Sequence, residues 1–393
     1  MQPLLNKLSN RYLGVVHVPA QGVSREGRVL LSYLTGPFTR LPWQRFTDPH
    51  TNYWECAEIA RLFAVRGYNV DIIDASNITF VPNKAYDIVV DVRQNLERLA
   101  GRLPTSCKKV MHITSSESSF QNAAEARRLT DLMKRRGTCL LAQRVESGLN
   151  NPAHADFLEG FGNTTVHATF SRFNKPIHRI PISVAQMFDF PDHSMKDFSS
   201  ARKHFLFFSG GGAILKGLDL LLEAFMKMPE FHLHIIGPAA NEVEFSKVYA
   251  RELSLPNIHR YPRPRITMNR GVEKMMVGEK KFMDIANRCA AIIYPSASEG
   301  TSGAVIQAMH AGIFPIVTKQ TGLDEGAPAI ILTSGTSDML VEDIQKQVYG
   351  IAAMAPETLE AMARSAWSYV RAHHTKETFT ASYAHFIDTI LLK

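Results

Sequence analysis

A repeated unit narrows the folds open to this chain. A short, largely apolar run is followed by a turn of glycine or small polar residues and then by apolar residues at helical spacing. RVLLSYL (28–34), NVDIID (69–74), YDIVVDV (86–92) and KKVMHIT (108–114) are such runs in the first half. HFLFFS (204–209), FHLHIIG (231–237), AAIIYP (290–295) and FPIVT (314–318) start the pattern again. Runs apolar on both faces fit strands of a parallel sheet covered on both sides, and the intervening helices supply the crossovers that parallel strands need. At 393 residues the chain is expected to form two α/β domains of this kind.

The helical segments carry their own punctuation. Asn52 and Glu55 fit an N-cap and its capping-box partner, in a helix that runs through Ile59 and Phe63 and closes at Gly67. A second helix starts within Ser115–Ser119, continues through Phe120, Ala123, Leu132 and Met133, and stops at Gly137. KGLDLLLEAFMKM (216–228) predicts a third, and 376–392 a terminal one. Residues 175–204 contain no long periodic run and read as the connection between domains. Residues 263–280 read as an irregular basic surface loop.

Several classes are disfavoured. No apolar run reaches the roughly 18–20 residues that span a bilayer, and the polar-interrupted N-terminus lacks a secretory apolar core. Cys56, Cys107, Cys139 and Cys289 are scattered and read as reduced thiols of a cytoplasmic protein, with no metal site. The net charge of +7 is uneven: residues 1–204 carry +8 and residues 205–393 carry −1. Much of the excess lies in KK (108–109), RR (127–128) and KRR (134–136). A solvated helix face, an anionic membrane surface and nucleic acid all fit such runs, but no helix-turn-helix, RNP-type or zinc-finger pattern accompanies them.

Two segments carry chemistry. In FFSGGGAILKGLDLLLEAF (207–225) the glycines, including Gly211 and Gly212, allow backbone amides to approach an anion, and Lys216 can reach a phosphate. The segment matches neither G-x-x-x-x-G-K-[ST] nor G-x-G-x-x-G, so a P-loop or a dinucleotide site is disfavoured. In IYPSASEGTSGAVIQAMHAG (293–312), Glu299 stands just past a strand. Gly300 and Gly303 free the backbone, Thr301 and Ser302 offer capping hydroxyls, and the amides near 301–304 can face an anion. Each segment also has an ordinary explanation: a tight turn with a solvated lysine, and a carboxylate capping its own helix.

Taken together, Lys216 to Phe225 and, about 80 residues on, Pro295 to Gly312 resemble the donor-binding domain of the family 4 retaining glycosyltransferases of GT-B fold. TGLDE (321–325) resembles the loop that follows there, and residues 50–73 and 112–137 resemble a bacterial polysaccharide-type branch. The resemblance covers about residues 28–392. It implies an N-terminal extension (1–27), an N-terminal Rossmann-like acceptor domain (28–185), a C-terminal Rossmann-like donor domain (186–375) and a helix (376–393) packing back on the N-terminal domain. It further implies transfer of a sugar from a nucleotide-diphosphate sugar to a glycan or lipid-linked acceptor with retained configuration. Neither a metal nor a cofactor is implied, and nucleic acid is not an expected partner.

Residue by residue, Lys216 matches the lysine that neutralises the donor diphosphate, and Glu299 the first acid of the E-x7-E motif, which touches the transferred sugar. Gly300 to Gly303 match the diphosphate cradle, and His112 an N-domain histidine that faces the sugar. The chain departs from the family at three places. Gly211 stands where an arginine is usual, with Arg263 and Arg265 as candidate replacements. Gln307 replaces the second acid, which in the family holds the ribose diol. His50-Thr51 replace a Gly-Gly loop on the acceptor side. A nucleotide-sugar binding protein with impaired catalysis is therefore the main competing expectation.

Overall fold

The computed structural model describes residues 14–22, 27–39, 51–147, 150–261, 273–333 and 335–393, and of residues 273–279 the backbone. The chain divides into two compact units. Unit 1 comprises Met1–Ser119, Glu146–Ala185 and His374–Lys393; unit 2 comprises Phe120–Val145 and Gln186–His373.

Unit 1 is built on seven strands: β1 Val15–Val18, β2 Arg28–Tyr33, β3 Asn69–Asp74, β4 Ile88–Asp91, β5 Lys108–Ile113, β6 Phe157–Gly160 and β7 Ile177–Arg179. Their order is β1-β3-β2-β4-β5-β6-β7. All neighbours are parallel except β1, which runs antiparallel to β3 and lies inside the stretch expected as an extension. Five of the six β2 residues are buried, as the apolar run requires of a central strand. Leu30, Val89, Ile113 and Leu158 form part of the core beneath.

Helix α1 (Thr51–Ala64) turns Trp54, Ile59 and Phe63 inward. The expected capping box is absent. Glu55 is fully buried, and its Oε1 accepts from the Ser183 amide and hydroxyl, each at 2.9 Å. The last residues of the chain also belong to unit 1. Trp54 meets Phe379 edge-on at 5.7 Å, Thr380 Oγ1 donates to Glu58 at 2.7 Å, and Arg66 pairs with Asp388 at 2.5 and 2.6 Å.

Helix α2 (Ser118–Arg136) crosses the unit boundary at residue 120. From there to 145 the chain clusters with unit 2, where the sequence places it with the N-terminal domain. The basic runs explain why. Arg135 bonds Asp219 at 2.7 Å and Glu223 at 3.0 Å, and Arg136 bonds Glu223 at 3.2 Å and Glu252 at 2.8 Å. KRR (134–136) is therefore only partly a solvated face: Lys134 is exposed, and both arginines turn toward acids.

Unit 2 carries β8 (His204–Phe208), β9 (His232–Ile236), β10 (Ile258–Tyr261), β11 (Ala291–Tyr294), β12 (Phe314–Val317) and β13 (Ile330–Ile331). They are all parallel, in the order β10-β9-β8-β11-β12-β13. In sequence ranks this is 3-2-1-4-5-6, the doubly wound order whose crevice opens between β8 and β11. The predicted helix 216–228 is shorter, α4 (Leu218–Phe225), and Lys216 instead ends a separate turn, α3 (Ala213–Lys216), with Gly217 between them at a φ of 78° that suits glycine. The stretch expected as an irregular loop contains the start of helix α5 (Glu273–Ala286).

Toward the N-terminal ends of β8 to β10, four imidazoles share one face. His204 stacks on His232 and His234 on His259, with ring centroids 4.6 and 4.7 Å apart, because each pair is directly opposite in register. Among the described residues, no helix is long and apolar enough to cross a membrane.

Candidate functional site

The β8–β11 crevice is where an open parallel sheet presents ligand-binding groups. Residues 83 positions apart meet there: Lys216 at the end of α3 donates through Nζ to Glu299 Oε1. The same oxygen accepts from Tyr294 Oη at 3.1 Å and Ser296 Oγ at 3.2 Å. Glu299 is thus tied to Lys216, a contact that neither motif announces. Lys216 is only 6% exposed. Burial pulls its pKa below the ordinary lysine value and the nearby Arg144 charge adds to this, while Glu299 opposes both.

The amide cradle is narrower than expected. Helix α6 (Gly303–His310) starts after Ser302, whose amide already donates to Thr321 O at 3.1 Å. Thr301 Oγ1 donates to Gly322 O at 3.0 Å. The Ser302 amide and the Thr301 hydroxyl therefore hold the 321–322 loop, and Gly300 is the buried link before them. The first-turn amides of α6, those of Gly303 and Ala304, are left to meet an anion.

At the glycine turn, Gly212 takes a left-handed φ of 95°. Its amide donates to Glu242 Oε1 at 2.5 Å, and the Ala213 amide reaches both Glu242 oxygens at 3.2 Å. Gly211 brings no charge to this turn, but a cation stands beside it. Arg144 Cγ lies 2.7 Å from where a Cβ on Gly212 would be. Glu125 fixes that stretch by accepting from the amides of Gln143 (2.8 Å) and Arg144 (3.0 Å). Arg144, Glu125 and Glu242 have no local motif, and the sequence offers no signal for them. Arg263 and Arg265 lie outside the described residues.

Gln307 has a partner that explains its chemistry. Its Oε1 accepts from the Gln186 amide at 3.1 Å and its Nε2 donates to the Gln186 carbonyl at 2.7 Å. An amide satisfies both ends of a peptide unit; a carboxylate has no proton for the carbonyl. The residue that departs from the E-x7-E pattern is occupied in holding residue 186 in unit 2.

His112 belongs to unit 1, near the end of β5. It is fully buried, with Nδ1 2.9 Å from both Glu159 oxygens on the facing residue of β6. Burial opposes a charge on the ring, but Glu159 outweighs it and holds the pKa above the ordinary histidine value, with Glu55 adding to the effect. Nε2 is buried without a hydrogen-bond partner. Tyr33 and Phe161 pack against the ring at 5.7 and 5.1 Å. Glu55 close by is raised to about 7, chiefly by burial.

Residues 202–349 match the family model of glycosyl transferases group 1. No curated protein sequence matches the chain. Among solved structures, the chain is similar to the sucrose-phosphate synthase (tll1590) from Thermosynechococcus elongatus, at 12% identity over 94% of this chain and 100% of that one, with a TM-score of 0.61. It is similar to Anabaena Alr3699/HepE in complex with UDP and glucose, at 13% identity over 93% and 100% of the two chains, with a TM-score of 0.51. A third similar structure is a mutant of S. aureus TarM in complex with fondaparinux, alpha-GlcNAc-glycerol and UDP, at 10% identity over 77% of this chain and a TM-score of 0.51. The chain spans 55% of the length of that TarM structure. At such identities the likeness is one of fold, and the fold is GT-B: two Rossmann-like α/β domains. Residues 202–349, the stretch that matches the glycosyl transferases group 1 model, hold Lys216, Glu299 and the elbow between β11 and α6.

Proposed function

We propose that the chain is a retaining, metal-independent glycosyltransferase of the family 4 type. It moves a sugar from a nucleotide-diphosphate sugar to a glycan or lipid-linked acceptor. The carrying observation is the buried Lys216–Glu299 pair at the β8–β11 crevice, inside the stretch that matches the group 1 model.

In this mechanism the donor diphosphate is received by Lys216 and the first-turn amides of α6. Arg144 supplies the second cation that Gly211 cannot. Glu299 holds the ammonium before the donor arrives and then faces the transferred sugar. The bond from the anomeric carbon to the diphosphate oxygen breaks while the acceptor oxygen bonds to the same face of that carbon. The acceptor proton passes to the leaving diphosphate oxygen, so no protein nucleophile is required. Lys216 and the amides stabilise charge as it develops on the leaving group, which is where electrostatic catalysis acts. No contact with the sugar is assigned to His112, whose ring is fully buried with Nδ1 held by Glu159. Association with an anionic membrane surface is part of the proposal, supported by the net charge of +7. It draws on fewer basic groups than the sequence implies, because Arg135 and Arg136 are bonded within unit 2.

A thermal-shift panel of UDP-, GDP-, ADP- and TDP-sugars tests the class and names the donor. One specific observation favours the competing function, a nucleotide-sugar binder with impaired catalysis: Gln307 is engaged by Gln186 instead of being open to a ribose. Donor binding with neither transfer nor slow donor hydrolysis would establish that alternative.

A further inference from the structure

Lys216 stands on a helical turn that is too short to hold itself. Helix α3 has four residues; its Lys216 amide donates to Gly212 O at 2.9 Å, and the Gly217 amide after it to Ile214 O at 3.1 Å. A helix of this size is unfavourable alone, because it fixes several backbone angles for few bonds. Gly212 and Gly217 bracket it in the left-handed region, so the chain turns away at both ends. Neighbouring segments must therefore fix the turn, and with it the direction of the Lys216 side chain.

Two segments do so. At the C-terminal end, the Ala297 amide donates to Leu215 O at 2.9 Å, and Gly217 approaches Pro295 so closely that a Cβ would stand 2.7 Å from its ring. These contacts tie the turn to the stretch that leads to Glu299. At the N-terminal end, the opening amides have no acceptor within the turn. The Gly212 amide donates to Glu242 Oε1 at 2.5 Å, and that of Ala213 reaches both Glu242 oxygens at 3.2 Å. Glu242 follows β9, the neighbour of β8 on the side away from β11. Its loop is anchored, since Ala239 and Ala240 before it and Phe245 after it are buried. Glu242 is half-buried, and hydrogen bonds to a charged acceptor are the stronger kind. Glu242 thus holds the turn that carries Lys216, while the ammonium itself donates to Glu299.

We propose that Glu242 is a positioning residue: it fixes α3 from its N-terminal end and so aims the Lys216 ammonium at Glu299 and at the donor diphosphate. The catalytic part rests on the proposed function and the structural part does not, so two readouts separate them. Acetic anhydride labelling of the full chain, followed by peptide mass spectrometry, reads the shielding of Lys216, with the exposed Lys134 as reference. Lys216 should be labelled slowly in the wild type and in Glu242→Gln, whose side-chain oxygen still accepts from the amides. It should be labelled at least fivefold faster in Glu242→Ala. Glu242→Asp draws the carboxylate back by one methylene and should fall between the wild type and Glu242→Ala. It decides the matter if Glu242→Ala fails a circular dichroism check of its fold. The second readout is turnover of the nucleotide-diphosphate sugar selected by thermal shift. Glu242→Ala should lose at least fivefold in kcat/KM, and Glu242→Gln should stay within about twofold of the wild type. In the Lys216→Ala protein, Glu242→Ala should cost nothing further, because the two residues act as one unit. Lys216 labelling that is unchanged in Glu242→Ala and Glu242→Asp, or as fast in Glu242→Gln as in Glu242→Ala, would overturn the positioning role. An equal loss of kcat/KM with and without Lys216 would overturn it as well. Absence of turnover in the wild type would count against the transferase function alone, and labelling would still decide the role of Glu242.

Discussion

Each unit carries a buried acid–base pair near the C-terminal ends of its parallel strands, yet the two pairs are enclosed differently. In unit 1 the His112–Glu159 side chains are both 0% exposed, and Glu55, Tyr33 and Phe161 surround them. In unit 2 the Lys216 and Glu299 side chains keep 7% and 15% exposure, beside glycine turns and an open helix N-terminus. Enclosure decides what each pair can do. A fully sealed pair contributes mainly to the fold, because desolvation makes either partner alone costly. A pair at the rim of a crevice can exchange its internal partner for a ligand.

The sealed pair should show the greatest loss on substitution. Glu159→Ala leaves a buried imidazole without its carboxylate and should cost about 3–5 kcal/mol, read from urea unfolding. A loss under about 1 kcal/mol would show that the pair is not structural.

Glu55 extends the contrast to pH. Burial holds its carboxyl near 7, against an ordinary value of 4.5. The neutral form is the one the fold favours. That contribution is full below about 4.5 and is lost as pH rises through 7. Glu55→Gln keeps a neutral side chain, so its advantage over wild type should grow from near zero at low pH to about 3 kcal/mol above pH 8. Parallel stability profiles for the two proteins would contradict this.

Gln307→Glu comes next. It removes the donor to the Gln186 carbonyl and places a carboxylate against it, at a cost of about 1–3 kcal/mol in unfolding free energy. A gain in donor affinity without that cost would show that residue 307 faces the ribose after all.

A weaker response is expected from the imidazole face of unit 2. Burial, followed by the charge of its neighbours, lowers His204 to about 4 and His234 to about 3. Lys203 and Arg288 also face the cluster, and both are positive. Depressed histidines stabilise fully above their unfolded value near 6.5 and lose that contribution as pH falls through 4 to 3. Between pH 7 and pH 5 the melting temperature of His234→Phe should therefore rise relative to that of the wild type, and a constant difference between the two would contradict this.

Legibility in the sequence follows the same division. The central parallel strands of both units are readable because runs such as HFLFF admit few other environments, whereas the short parallel strands β6, β7, β10 and β13 carry too few apolar residues to stand out. The Lys216 and Glu299 elbows are readable because glycines mark them. Strand β1 is not, since four residues at a sheet edge carry too little pattern. The break at Gly217 is a backbone choice inside an otherwise helical run. The roles of Glu55, Glu159, Arg144 and Glu125 are invisible for a common reason: each meets partners from distant segments, and a lone charged residue reads as solvated. The Arg135 and Arg136 pairs show the same limit, because a basic run does not announce the acids waiting for it.

The proposed donor site at the crevice stands or falls with Lys216. The nucleotide-diphosphate sugar selected by the thermal-shift panel is titrated into wild type and Lys216→Ala, and transfer and slow hydrolysis are then measured for both. Lys216→Ala should keep its fold and lose at least tenfold in kcat/KM, about 1.4 kcal/mol of transition-state stabilisation. Turnover close to that of the wild type would contradict the assignment of Lys216, and with it the donor site between β8 and β11.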